Sequence, residues 1–163
     1  MAYLLDADVL IRAKRMHYRF TFCPAFWDWL EAAHDKGKVF SVESIGNQLI
    51  AGDDELSYWA REQGSDFFRS PGRATIGALD QVSAWVQSQS YEAPAIRSFM
   101  QDPDYWLVAE AVAGEHIVVT HEVRSTSVKR IKIPNVCDGS GIDCITPFEM
   151  LHDEKARFVL ERP

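Results

Sequence analysis

The sequence predicts an α/β domain with a largely parallel sheet and helices on both faces. Three observations carry that expectation: short apolar runs that stop at acidic residues, helix-period segments between them, and a length of 163 residues that suits one domain spanning 1–163. Strands separated by helices require right-handed crossovers, which place the helices above and below the sheet.

Tyr3-Leu4-Leu5 is a short apolar run ending at Asp6, and from Val9 onward basic and apolar residues alternate as in a helix. Pro24 suits a first helical turn, Phe26, Trp27, Leu30 and Ala33 recur at helical spacing, and Gly37 can cap that helix. Lys38-Val39-Phe40-Ser41 reads as a second strand. Two short helices follow over Ser44 to Gln63, broken at Gly52-Asp53-Asp54 and closed by Gly64. Arg73 to Met100 is helical with a break around Tyr91 to Pro94, and Asp104 to Ala113 is an Ala-rich apolar helix. After Gly114, the run His116 to Thr120 reads as a buried strand of parallel-sheet type. Ile131-Lys132-Ile133 and Asp143 to Thr146 read as further short strands, and a last helix starts near Pro147.

Composition narrows the class. With 47% hydrophobic and 12% aromatic residues the chain can bury a sizeable core. No apolar stretch approaches the roughly 20 residues of a membrane span, and Asp6 and Asp8 interrupt the N-terminal apolar run before a leader core could form. A soluble, cytoplasmic protein with no membrane partner is expected. Cys23, Cys137 and Cys144 are odd in number and lack C-x-x-C spacing, which argues for reduced core thiols over disulfides or zinc. The net charge of −7 argues against non-specific coating of nucleic acid, which depends on Lys and Arg displacing counterions. Two local basic segments stand against that balance: Arg12, Lys14, Arg15, His17 and Arg19, and then Arg124, Lys129, Arg130 and Lys132. Of these, Arg12, Lys14 and Arg15 are the candidate RNA contacts.

In an open parallel sheet, ligands bind beyond the C-terminal strand ends, near the topological switch point. Asp6 follows the first strand directly, Glu122 follows Val118-Val119-Thr120, and Asp104 opens the helix leading into that strand. Three segments therefore offer a carboxylate to one edge. Two ionised carboxylates about 5 Å apart repel by roughly 3 kcal/mol at an effective dielectric of about 20, so such a cluster needs a cation or a shared proton. Oxygen ligands without Cys or His favour Mg²⁺ or Mn²⁺, and such an ion can activate water for attack on a phosphodiester.

Tyr3-Leu4-Leu5-Asp6-Ala7-Asp8-Val9-Leu10-Ile11 resembles the opening hydrophobic-Asp-x-[Asn/Asp]-hydrophobic signature of PIN-domain proteins, including VapC-type toxins. Asp104-Tyr105-Trp106-Leu107-Val108-Ala109 is similar to the second PIN signature and Ile117 to Glu122 to the third, in the same order. The resemblance spans nearly the whole chain and is nearest to a PIN-like group of bacterial proteins. It implies a three-layer α/β/α sandwich around a mainly parallel sheet of four to five short strands, with a metal-dependent RNase site. It also implies a toxin whose antitoxin covers that site; the oligomeric state, a homodimer included, is left open. By this resemblance Asp6, Asp104 and Glu122 would be the catalytic metal ligands, with Asp8 and Thr120 in support. The family usually has a Glu where this chain has Gln48, so Glu43 would reach in instead or metal affinity would fall. Asp102 competes with Asp104 for the same role and is the expected helix N-cap. Asp143 and His121 are outlying candidates. The face around Phe20, Phe22, Phe26 and Trp27 is the expected antitoxin seat.

Two other classes remain. Asp6-Ala7-Asp8-Val9 also resembles the D-x-D start of haloacid-dehalogenase-like phosphohydrolases, whose later Lys and acidic pair find poor counterparts in Lys129 and Asp138-Gly139. A PIN-like fold that binds RNA or a protein without cutting is the second, suggested by Gln48 and by an abundance of aromatic residues.

Overall fold

The computed structural model describes residues 1–162. Its sheet has five strands, β1 (Tyr3–Leu5), β2 (Val39–Val42), β3 (Phe68–Arg69), β4 (Ile117–Val119) and β5 (Cys144–Ile145), all parallel and ordered β3-β2-β1-β4-β5. The register pairs Tyr3 with both Val39 and Ile117, and Val118 with Cys144. Leu4, Leu5, Val39, Phe40, Val118 and Val119 are buried, as a sheet covered on both faces requires. The chain runs outward from β1 through β2 to β3, then returns to the other side of β1 for β4 and β5. The switch point therefore lies between β1 and β4.

The helices are α1 (Ala7–Arg12), α2 (Pro24–Asp35), α3 (Glu43–Ile50), α4 (Glu55–Phe67), α5 (Arg73–Ser88), α6 (Ala93–Gln101), α7 (Pro103–Gly114), α8 (Ile133–Ser140) and α9 (Pro147–Asp153). Helix α7 is nearly apolar all round and packs on β2, β4, α3, α5 and α8, which makes it the central helix of its layer. Prolines occupy the first turns of α2, α6, α7, α8 and α9, where the missing N–H costs nothing. Among the described residues no helix is long and apolar enough to cross a membrane.

Four local expectations are corrected. Ile131-Lys132-Ile133 is not a strand: Ile133 opens α8, with Pro134 in its first turn. The strand β3 went unread because two residues carry no periodicity; it forms where Gly64, at φ 64°, bends the end of α4 and turns Phe68 onto Ser41. Beyond α1 the chain widens into a π-helical turn over Ala13–His17, closed by the Tyr18 N–H donating to the Ala13 carbonyl at 2.8 Å. Phe26 and Trp27 are core residues, so of the expected antitoxin seat only Phe22 is exposed, with Phe20 lying flat on Trp27 at 4.0 Å between centroids.

Gly46 explains how β3 reaches the sheet edge. A Cβ at this position in α3 would come within 2.7 Å of the Cβ of buried Phe68, too close for a part of the side chain tied to the backbone. Gly46→Ala is expected to destabilise the fold by about 1–3 kcal/mol through overpacking, a fall in Tm of roughly 3–10 °C by thermal unfolding.

Candidate active site

Asp6 extends β1 by one residue. Its N–H donates to the Val119 carbonyl at 3.0 Å, which carries the β1–β4 ladder past the strand end and fixes the side chain at the switch point. Only 5% of Asp6 is exposed. The Thr120 hydroxyl donates to Asp6 Oδ2 at 2.9 Å and itself accepts from the Glu122 N–H at 3.0 Å, so one hydroxyl ties the carboxylate to the turn carrying Glu122.

Asp104 arrives from the first turn of α7, where the Asp102 carboxylate caps the helix by accepting from the Asp104 N–H at 3.0 Å. Asp102 is thus the N-cap and Asp104 the residue facing Asp6. Burial first, and then the charge of Asp6, push the Asp104 carboxyl well above the ordinary range. Burial also pushes Asp6 up, opposed by hydrogen bonds from Thr120 and Asp104 and reinforced by the charges of Glu122 and Asp8. Glu122 is held from another direction: its Oε2 accepts from the Ile133 N–H at 2.7 Å, at the positive end of α8. That bond is the physical reason Ile133 starts a helix.

Asp102, Asp104 and Glu122 line one pocket of about 120 Å³, and Lys129 and Arg130 line the same pocket. Neither cation forms an ion pair among the described residues. The basic residues picked from sequence are differently placed. Arg12 Nε pairs with Asp8 at 2.7 Å, Lys14 pairs with Asp54 at 3.0 Å, and Lys14 and Arg15 border a separate groove with Arg19 and Tyr58. The later basic segment was visible in the sequence, but chain distance from the first motif concealed that it folds back on the acids.

The remaining candidates divide. Thr120 and Asp8 stand beside Asp6, and His121 lies between Thr120 and Glu122, its pKa lowered by burial and by Arg12. Glu43 is exposed and accepts from Ser70 Oγ at 3.1 Å; it lines a different cavity of about 160 Å³ with Ser44, Arg69 and Trp106. Gln48 is exposed on α3 and does not line the acidic pocket. Asp143 precedes β5, so in a parallel sheet it sits on the opposite edge, away from Asp6. Neither Glu43 nor Asp143 joins the acids.

Among the described residues no three Asp, Glu, His or Cys side chains are gathered closely enough to hold an ion as they stand. The Asp6–Asp104 pair nonetheless fits a hard divalent cation: both donors are carboxylates, burial raises both, and the charge of Asp6 adds to the cost of ionising Asp104.

An all-parallel sheet in this order, with helices on both faces, is a PIN-like three-layer α/β/α fold. The chain belongs to the DUF4411 family, described as a domain of unknown function, whose pattern matches residues 3–158. A search of curated proteins finds no match. Among solved structures, the chain is similar to one in the crystal structure of VapBC2 from Rickettsia felis bound to a DNA fragment from their promoter. The TM-score is 0.56 at 9% identity, covering 90% of this chain and 98% of that one, a likeness of fold alone.

Because Asp104 is raised in the folded state, the unfolded chain releases that proton first. The metal-free protein therefore loses stability as pH climbs above the ordinary Asp value of 3.8 and on through neutrality. Asp104→Asn is expected to raise the metal-free Tm at neutral pH by about 2–8 °C, equivalent to about 1–2 kcal/mol. It should also remove most of the stabilisation that millimolar Mg²⁺ or Mn²⁺ gives the parent protein. Calorimetry with and without the ion checks both.

Proposed function

We propose that this chain is a metal-dependent endoribonuclease, acting in the cytoplasm as the toxin of a toxin–antitoxin pair. The observation that carries the reading is buried Asp6 against half-buried Asp104, beside a pocket also lined by Lys129 and Arg130, which form no ion pair among the described residues. Carboxylates suited to a cation and side chains suited to phosphates meet in one cleft.

Asp6 and Asp104 would hold Mg²⁺ or Mn²⁺, which supplies a water of lowered pKa and charge stabilisation for phosphodiester hydrolysis. Thr120 fixes the Asp6 carboxylate in orientation. Glu122 keeps one oxygen on the Ile133 N–H, which leaves the other to position a water or share the ion. Lys129 and Arg130 would bind phosphates on either side of the bond that breaks, where an acidic protein most needs positive charge. The VapBC2 likeness supports an antitoxin partner, which would cover this cleft.

A second reading, binding of RNA or a protein without cleavage, is favoured by one observation: Glu122 is committed to α8 and three acids do not converge. Gln48, which stands where the resemblance has a Glu, is exposed on α3.

Incubation of mixed single-stranded and hairpin RNA with Mn²⁺, Mg²⁺ or EDTA separates the two. Metal-dependent cleavage that disappears in Asp6→Asn is expected, and Thr120→Ala should lower its rate about 10–100-fold by freeing that carboxylate. RNA binding with no cleavage in any metal would establish the second reading.

The cations give an independent measurement. Replacing Lys129 and Arg130 by Ala should weaken RNA binding across sequences and flatten the slope of log K against log salt by about 0.7 for each lost contact. An unchanged slope would remove both residues from the phosphate path.

A further inference from the structure

Beside the acidic pocket stands a group of rings that the proposed chemistry does not use. His17 and His121 stack with centroids 5.6 Å apart at 30°, and Phe148 stands edge-on to both, 5.3 Å from His17 and 5.6 Å from His121. Two unusual local structures hold the group together. The π-helical turn over Ala13–His17 turns His17 onto His121; a continuous α-helix would carry it elsewhere. Such turns recur at functional sites. The Thr146–Glu149 capping box fixes the first turn of α9 and with it Phe148.

These rings form a finished platform. They close over Val9, Ala13 and Phe26 with no room for a water molecule beneath them. Yet Phe148 remains 47% exposed and His17 is exposed as well. His121 stacks on the exposed His17 ring, with Phe148 as a side wall. The platform also adjoins the site through the chain itself, since His121 separates Thr120, on Asp6, from Glu122. Arg12 is close enough to perturb His121.

The geometry points to a base-binding shelf: an unpaired RNA base continues the His121–His17 stack, while the phosphate beside it enters the acidic pocket. The inference rests on the ribonuclease reading for its ligand and adds a subsite to it, a seat for one unpaired base. A duplex buries both faces of every base against its neighbours, so only a splayed base can reach His17. Exposed stacked rings, one residue along the chain from both Thr120 and Glu122, fit a nucleotide base better than they fit an aliphatic peptide.

The test is binding without turnover. A labelled single-stranded RNA octamer is titrated in EDTA and read by fluorescence anisotropy against the parent protein, His17→Ala, His17→Phe and Phe148→Ala, with an RNA duplex beside it. The shelf predicts roughly tenfold weaker octamer binding for His17→Ala and Phe148→Ala, retention in His17→Phe, and duplex binding unchanged. An octamer with one abasic position, walked along the strand, should lose affinity at one place in the parent protein and at none in His17→Ala. Equal octamer affinity in all four proteins overturns the shelf, as does a loss that His17→Phe fails to restore. Unchanged RNA affinity with a weakened antitoxin complex also overturns it and makes the rings a protein-docking surface. Cleavage in Mn²⁺ is scored separately: cleavage with shelf-independent binding defeats only the shelf, whereas shelf-dependent binding without cleavage defeats only the nuclease.

Discussion

Two carboxylates, Asp6 and Asp104, are pressed together where water is largely excluded, and much of the surrounding structure can be understood as holding them there. Burial alone would favour their neutral forms, and proximity adds to that cost. The restraining interactions are all backbone-anchored. Asp6 is fixed by a ladder bond to Val119, Asp104 by the first turn of α7 and its Asp102 cap, and Thr120 by its position at the end of β4. Asp6 so restrained cannot relax by turning outward, and Asp104 stays against it through its place in the first turn of α7. The repulsion of the pair is relieved by a proton shared between the two or by a cation, and a change from one to the other links metal binding to stability.

The same edge bears on how an acidic chain would meet a polyanion. A net charge of −7 repels a polyanion at long range, but the relevant field is local. Asp8 and Asp54 pair with Arg12 and Lys14, while Arg15 and Arg19 of the same segment stand exposed. Lys129 and Arg130 form no ion pair among the described residues and line one small pocket with the acids. Two cations thus stand beside the acids on a chain whose net charge disfavours non-specific coating.

How much of this was legible in the sequence depends on how local the cause is. Asp6 could be read because an apolar run ends on it, and Thr120 because it ends the next buried run; both are positions along a strand. Asp102 as a cap followed from the proline after it. The order of strands was legible only as a class, and β3 not at all, since a two-residue strand is created by the bend at Gly64 and the space above Gly46. Ile131-Lys132-Ile133 misled for a related reason. Its alternation has the strand period, but the Ile133 N–H is claimed by Glu122, eleven residues earlier, and the chain turns helical there. Of the basic residues chosen, the Arg12–Asp8 pair could be read from its i,i+4 spacing, whereas Lys14–Asp54 spans forty residues and is a tertiary fact.

Glu122 illustrates how one residue can serve fold and site together. Its carboxylate satisfies the first amide of α8, which would otherwise be an orphan donor at a buried helix start, and the Ile133 side chain beside that amide is itself buried. The loop between them carries Lys129 and Arg130. Anchoring that loop at both ends, through Thr120 on one side and Ile133 on the other, keeps the two cations against the acids although the segment from 120 to 132 has no regular structure of its own. Removing the Glu122 carboxylate would therefore do more than delete a candidate ligand: it would loosen α8 and release the cationic wall of the pocket. A loss of activity in such a variant is informative only beside a measure of that loop's order, and one at Asp6, whose charge acts on Asp104, only beside a measure of stability.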